Sequence, residues 1–61
     1  MMYEIGDKFT LKNTKDSVVY EIERIYSSFG IEPSYELKPI GKRGGRTFIK
    51  EETLKQLYNK L

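Results

Sequence analysis

Hydrophobic and polar residues alternate along most of the chain with the period of two that is typical of half-buried β-strands. In the clearest stretch, Val18, Tyr20 and Ile22 share one face, while Glu21 and Glu23 share the other. The alternation slips between Ile22 and Ile25, which predicts a β-bulge that keeps both isoleucines inside. The pattern predicts strands at about residues 8–12, 18–26, 35–40 and 46–50. The same alternation assigns four aromatic residues to the core, namely Phe9, Tyr20, Tyr35 and Phe48.

The period changes near the end of the chain, where the spacing of apolar residues predicts a helix over about residues 51–60. Its apolar stripe would consist of Leu54, Leu57, Tyr58 and Leu61. Glu51 and Glu52 in the first turn and Lys60 in the last have the polarity that the helix dipole favours. Between the second and third strands, Gly30 and Pro33 predict an irregular connection over residues 27–34.

These elements predict a single mainly β (α+β) domain over residues 1–61, near the lower size limit for a chain that folds alone. Short strands, a bulge and tight turns favour a small, strongly bent barrel of four to five antiparallel strands with a C-terminal α-helix. The alternative is an antiparallel sheet of three or four strands with the helix lying across one face.

Four segments resemble the SH3-like barrel family: residues 3–11, with a Gly6-Asp7 turn before the first strand, and residues 19–25, 35–37 and 48–54. The resemblance covers most of the chain, and the overall pattern is similar to that of small proteins encoded by phages and mobile elements of Gram-positive bacteria. The resemblance implies a small adaptor or inhibitor that binds a host or phage protein. The chain has no ALYDY-type segment and no tryptophan, so the resemblance does not extend to binding of proline-rich motifs.

The composition narrows the chemistry, because the chain contains no cysteine and no histidine. Disulfides, the usual zinc ligands and the commonest general base are therefore absent. No nucleophile–base pair can be assembled, so we expect a protein that is not an enzyme and needs no cofactor or metal. Neither a signal peptide nor a membrane span is predicted, which favours a cytoplasmic location without membrane contact.

Charge is distributed unevenly along the chain, although the net charge is only +2. Residues 38–50 carry five basic residues and no acid, whereas the remaining six basic and nine acidic residues sum to −3. The acidic residues include Glu21, Glu23, Glu32 and Glu36. These carboxylates could hold a metal, but the simpler interpretation is a solvated outer face of the strands. They could also meet the basic loop of a second copy, which would give a homo-oligomer.

The basic segment contains a glycine-rich loop that is the first candidate for a binding site. Glycines with positive φ can expose successive N–H groups to an anion, and arginine can grip phosphate oxygens. The predicted anion- or partner-binding residues are Lys42, Arg43, Gly44, Gly45, Arg46 and Thr47. Bound groups could be a nucleotide, a nucleic acid or an acidic protein surface. The alternative is an ordinary hairpin turn whose basic residues serve solubility.

The second candidate is the predicted loop after the bulge, where Tyr26, Phe29 and Ile31 are residue types common at protein interfaces. Alternatively, Phe29 and Ile31 would cover an open end of the barrel. Three classes of function follow from these features. The first is a protein-binding adaptor or inhibitor that uses both loops, the second is a nucleic-acid or nucleotide binder, and the third is a homo-oligomeric assembly protein.

Overall fold

Five antiparallel strands and one short helix form the fold in a computed structural model that describes residues 3–15, 18–28, 30–41 and 44–61. In chain order the elements are β1 (Lys8–Leu11), β2 (Tyr20–Ser28), β3 (Ile31–Pro39), β4 (Thr47–Lys50), α1 (Glu51–Leu57) and β5 (Tyr58–Lys60). The strands form one curled half-barrel sheet in the order β4-β3-β2-β1-β5. The mainly β prediction is therefore confirmed.

The β2–β3 hairpin is the longest ladder of the sheet, running from Tyr20 opposite Pro39 to Ser28 opposite Ile31. Its register shifts between Ile22 and Arg24, which confirms the predicted bulge. Ile22 consequently lies opposite Leu37 and Ile25 opposite Tyr35. Both isoleucines contact the core, as the slip in the hydrophobic pattern predicted.

The prediction of an irregular connection over residues 27–34 is wrong, because β2 and β3 continue almost to the turn between them. Gly30 has a φ of 77°, the left-handed conformation that glycine adopts without strain and that a tight turn needs. Pro33 lies inside β3 rather than in a loop. The ladder to β4 begins at Ser34, so Pro33 occupies an edge position where a missing N–H is tolerated.

The helix predicted to residue 60 is also too long, since α1 ends at Leu57 and Tyr58 begins the extended strand β5. β5 pairs with β1, with Leu11 opposite Tyr58 and Phe9 opposite Lys60. This pairing satisfies backbone groups of β1 that a longer helix would leave without partners. It also buries Tyr58, whose ring meets that of Tyr20 edge to face at 5.7 Å.

The core is formed by eight buried residues: Tyr3, Phe9, Ile22, Tyr35, Leu37, Ile49, Leu54 and Tyr58. The ring of Tyr3 packs edge to face between those of Phe9 and Tyr35, with centroids 5.1 and 5.5 Å apart. The core predictions for Phe9 and Tyr35 are confirmed, and Tyr20 packs against the core while partly buried. The prediction for Phe48 is wrong: its neighbour Ile49 faces the core, and Phe48 faces solvent.

Two polar contacts attach α1 to β3. The Tyr35 hydroxyl donates to Oε2 of Glu51 at 2.7 Å, and Oε1 of Glu32 accepts from the backbone N–H of Glu52 at 2.7 Å. The N-cap residue Lys50 makes no side-chain capping hydrogen bond. Glu32, which lies in β3, instead satisfies one of the free N–H groups in the first turn of α1. Leu54 packs in the core, whereas Leu57 and Leu61 of the predicted stripe are exposed.

The buried tyrosines predict a loss of stability in alkaline solution. Burial is the main reason that the pKa values of Tyr3, Tyr35 and Tyr58 lie above the ordinary value. Tyrosines of the unfolded chain lose their proton first, near pH 10. Stability is therefore fully present below about pH 10 and falls as the pH rises further.

We expect the urea midpoint of unfolding, followed by circular dichroism, to be lower at about pH 11 than at about pH 9. Tyr58→Phe keeps the ring and removes one titrating hydroxyl, so its midpoint should fall less steeply over the same range. This comparison isolates the contribution of one tyrosine hydroxyl. Equal slopes for the parent and the variant would contradict the prediction.

Candidate functional site

The three strands β2, β3 and β4 have a second face on the side opposite the core. Ile25, Tyr35 and Ile49 lie side by side in one row and are directed to the core. Because successive side chains of a strand alternate, the rows before and after this one point away from the core. We call these two rows the outer face: Arg24, Glu36 and Phe48 in one, and Tyr26, Ser34 and Lys50 in the other.

Two aromatic rings lie exposed on the outer face. Tyr26 of β2 and Phe48 of β4 approach each other across β3, with ring centroids 5.8 Å apart and an angle of 42° between the rings. The side chains are 44% and 66% exposed, respectively. A single exposed apolar residue is ordinary on a protein surface, whereas an exposed pair in contact forms a patch that a partner can cover.

A buried carboxylate lies beside the aromatic pair. Glu36 is only 4% exposed, although it points away from the core. The Tyr26 hydroxyl donates to its Oε1 at 2.9 Å, and Nε of Arg46 lies 2.9 Å from its Oε2. Both carboxylate oxygens therefore have partners, as a buried charge requires. The contact with Tyr26 also restrains one ring of the aromatic pair.

Arg46 connects Glu36 to a second carboxylate. Its terminal nitrogen lies 2.9 Å from Oε1 of Glu23, and its Nε also approaches Oε2 of Glu23 at 3.4 Å. Lys38 lies 3.7 Å from the same carboxylate. The hydrogen bond from Arg46 is the main reason that the pKa of Glu23 lies below its usual value, and the same contact raises the pKa of Arg46.

The predicted acidic residues thus have partners within the chain. Glu23 and Glu36 bind Arg46, Glu21 lies 3.6 Å from Lys8, and Glu32 accepts from α1. A solvated face describes Glu21 and Glu23 but not Glu36, which is buried. Within the described ranges, no group of acidic residues is arranged to hold a metal ion.

The predicted basic loop is described in part. Lys42 and Arg43 lie outside the described residues, Gly44 to Arg46 have no regular structure, and Thr47 begins β4. Gly41 has a φ of 70°, but Gly44 and Gly45 do not adopt a positive φ. Of the glycines at positions 41, 44 and 45, only Gly41 therefore has the positive φ that the predicted anion nest needs. Arg46 is engaged by carboxylates of its own chain.

The second predicted site is rearranged by the long hairpin. Tyr26 lies in β2 rather than in a loop, Ile31 begins β3 and is exposed, and Phe29 lies outside the described residues. The structure brings Tyr26 together with Phe48, a residue that the alternation had assigned to the core. Phe48 and Ile49 are adjacent apolar residues in a strand of four. The hydrophobic pattern alone is therefore consistent with either of them facing the core.

Two cations on the outer face complete the site. Arg24 and Lys50 are exposed at opposite corners of its two rows. Neither forms an ion pair with any residue of the described ranges, in contrast to Lys38 and Arg46. The ion pairs of Arg46 and Lys38 neutralise the middle of the face, so the remaining charge on it is positive.

Comparisons with family models, curated proteins and solved structures give no match. Among the described residues, no helix has the length and apolar character needed to span a membrane.

The Arg46–Glu23 contact can be tested by titration. Arg46→Gln removes the guanidinium that lowers the pKa of Glu23, so we expect that pKa to rise towards its ordinary value in carboxylate-resolved NMR spectra. A carboxyl group whose pKa is lower in the folded than in the unfolded state stabilises the fold at pH values above its unfolded pKa. This stabilisation is lost as the pH falls through the folded pKa. The acid side of the stability profile should therefore become shallower in the variant. Lys38→Gln, the more distant partner, should change the pKa less; an unchanged pKa in Arg46→Gln would contradict the assignment.

Proposed function

We propose that this protein is a non-catalytic binding module whose outer face binds another protein. The observation that carries the proposal is the exposed Tyr26–Phe48 pair on the five-stranded sheet, in which the buried Glu36 restrains Tyr26. Tyrosine and arginine are enriched among the residues that contribute most to protein interfaces. A site whose side chains are already held in place loses less conformational entropy on binding.

Ile31 supports a larger contact area than the two rings alone. It is exposed at the end of the β2–β3 hairpin, beyond the residues of β3 that pair with β4. A partner that covers the Tyr26–Phe48 pair and extends along the hairpin would bury all three apolar side chains. The paired charges of Glu23, Lys38 and Arg46 would then form a polar border, as in ordinary interfaces.

We also propose that the fold belongs to the SH3-like barrels and that the protein is a phage-type adaptor or inhibitor. The strand order β4-β3-β2-β1-β5, the curled sheet and the helix between β4 and β5 support the first part. The second part rests on the resemblance of the sequence. Under this proposal the binding surface is the outer face rather than a groove for proline-rich peptides.

A second candidate function, binding of single-stranded nucleic acid, is favoured by the positions of Arg24 and Lys50. With neighbouring strands about 4.8 Å apart and residues rising about 3.3 Å, their backbones are about 12 Å apart across the two rings. Bases could stack on Tyr26 and Phe48 while phosphates meet the two cations.

The third predicted class, homo-oligomerisation through acidic and basic faces, has less support. Arg46 binds Glu23 and Glu36 of its own chain, so a second copy would have to replace contacts that already exist. The electrostatic gain from assembly would be correspondingly small. We therefore propose a protein partner of another kind first.

The protein-binding proposal predicts that Phe48→Ala loses the partner while the fold is kept. Because Phe48 is 66% exposed, the substitution should change the free energy of unfolding by no more than about 0.5 kcal/mol. Tagged parent protein should capture a stoichiometric partner from a lysate of the organism that encodes it, and Phe48→Ala should not. Ile5→Ala is the matched control, since Ile5 is equally exposed at 67% and lies outside the outer face. Capture that is equal for parent and Phe48→Ala would rule the outer face out.

For the nucleic-acid candidate, we expect fluorescently labelled oligothymidylate or oligouridylate to bind at low salt and to dissociate as salt is added. Replacing both Arg24 and Lys50 by glutamate should then weaken binding at least about tenfold. Replacing both Lys15 and Lys55 by glutamate is the charge-matched control, because both lysines are exposed and lie outside the outer face. If the parent binds neither oligonucleotide at low salt, this candidate is eliminated.

A further inference from the structure

β4 is an edge strand whose second side has no backbone partner among the described residues. It pairs with β3 through Thr47 to Lys50, and no other backbone hydrogen bond links those residues to a described part of the chain outside α1. An unpaired strand edge presents N–H and C=O groups that can accept an added strand. We propose that the protein partner contributes an extended, acidic segment that pairs with β4; this inference rests on the proposed function.

The side chains of β4 specify what this segment should carry. Phe48 and Lys50 point from β4 to the outer face, two residues apart. A strand added beside β4 would place its own outer-face residues next to them, also two residues apart. An apolar residue would then cover Phe48 while an aspartate or glutamate meets Lys50, which has no ion pair within the described ranges. The segment should therefore alternate, with an apolar and an acidic residue on the same face.

The other edge of the sheet has different chemistry. β5 offers three residues, its Tyr58 is buried, and Lys60 already lies 3.6 Å from Asp7. An added strand on β5 would find neither an exposed ring nor an unpaired cation in that strand. The side chains therefore favour β4 as the edge that accepts the partner, and β5 serves as an internal control.

A second copy of the chain is a poorer occupant of this edge. In a two-fold antiparallel pair of β4 strands, residues that point to the same face lie opposite each other. Depending on the register, Lys50 would therefore meet Arg46, Phe48 or Lys50 of the other copy. β4 contains no acidic residue that could neutralise Lys50. Lysine on an edge strand is a common means of discouraging such self-association. The charge that disfavours a second copy favours an acidic partner.

The experiment is a selection on the full chain from displayed random peptides of about ten residues, long enough to span an ordinary strand. We expect the enriched peptides to carry acidic residues two positions from an apolar or aromatic residue. When the best peptide is added, amide hydrogen exchange should slow in β4 and stay unchanged in β5. Lys50→Glu should weaken the binding of that peptide about tenfold, whereas Lys55→Glu should leave it unchanged.

The inference is overturned by a selection without enrichment, by enriched peptides without an acidic excess, or by unchanged exchange in β4 when the peptide is bound. Protection of β4 without any peptide, together with a dimer by light scattering, would assign the edge to a second copy and also overturn it. The proposed function fails separately, when Phe48→Ala keeps the cellular partner. Peptides that shift the NMR signals of Tyr26 and Phe48 but leave β4 exchange unchanged would support the outer face and exclude strand addition.

Discussion

β2 has one more residue than β3 between the pairs Ile22–Leu37 and Arg24–Glu36, and this extra residue is Glu23. The bulge lets both Ile22 and Ile25 contact the core, which a strand of strict alternation could not do. A bulge also increases the local twist of the sheet. A short chain needs this bend, because a flat sheet would cover only one side of its apolar residues, whereas a curled sheet encloses them with the help of one small helix.

The same extra residue shapes the outer face. Because Glu23 is displaced from the regular ladder, Arg24 takes the position opposite Glu36, and Glu23 itself reaches Arg46. Arg46 in turn reaches Glu36, whose other oxygen accepts from Tyr26. The bulge that closes the core therefore also leads to the contacts that restrain the aromatic pair. Burying a carboxylate raises the free energy of the folded state unless each oxygen has a hydrogen-bond partner. The satisfied Glu36 therefore fixes the positions of the side chains around it.

The hydrophobic pattern was sufficient to predict most of the strands and the helix. Contacts between residues distant in the sequence determined which side chains are buried and where the helix ends. Alternation identified four of the five strands and the slip that became the bulge. It failed at Phe48, where two adjacent apolar residues in a four-residue strand fit either phase. The helical spacing was misleading at Tyr58, because the chain there pairs as β5 with β1 instead of continuing the helix. Glu36 could not be recognised as buried, because its burial depends on Tyr26 and Arg46, which are 10 residues distant along the chain in each direction.

The uneven charge of the sequence acquires a different meaning in three dimensions. The hairpin and the following strand bring the acidic residues of β2 and β3 beside the basic segment, so Lys38 and Arg46 neutralise Glu23 and Glu36 within one chain. The charge of +5 on residues 38–50 therefore overstates the positive potential at the surface that a partner would contact. What remains on the outer face is an aromatic pair between two cations, Arg24 and Lys50, that form no ion pair with the described residues. Affinity would then come mainly from covering the rings, while the cations select for negative charge and the edge of β4 selects for an extended backbone.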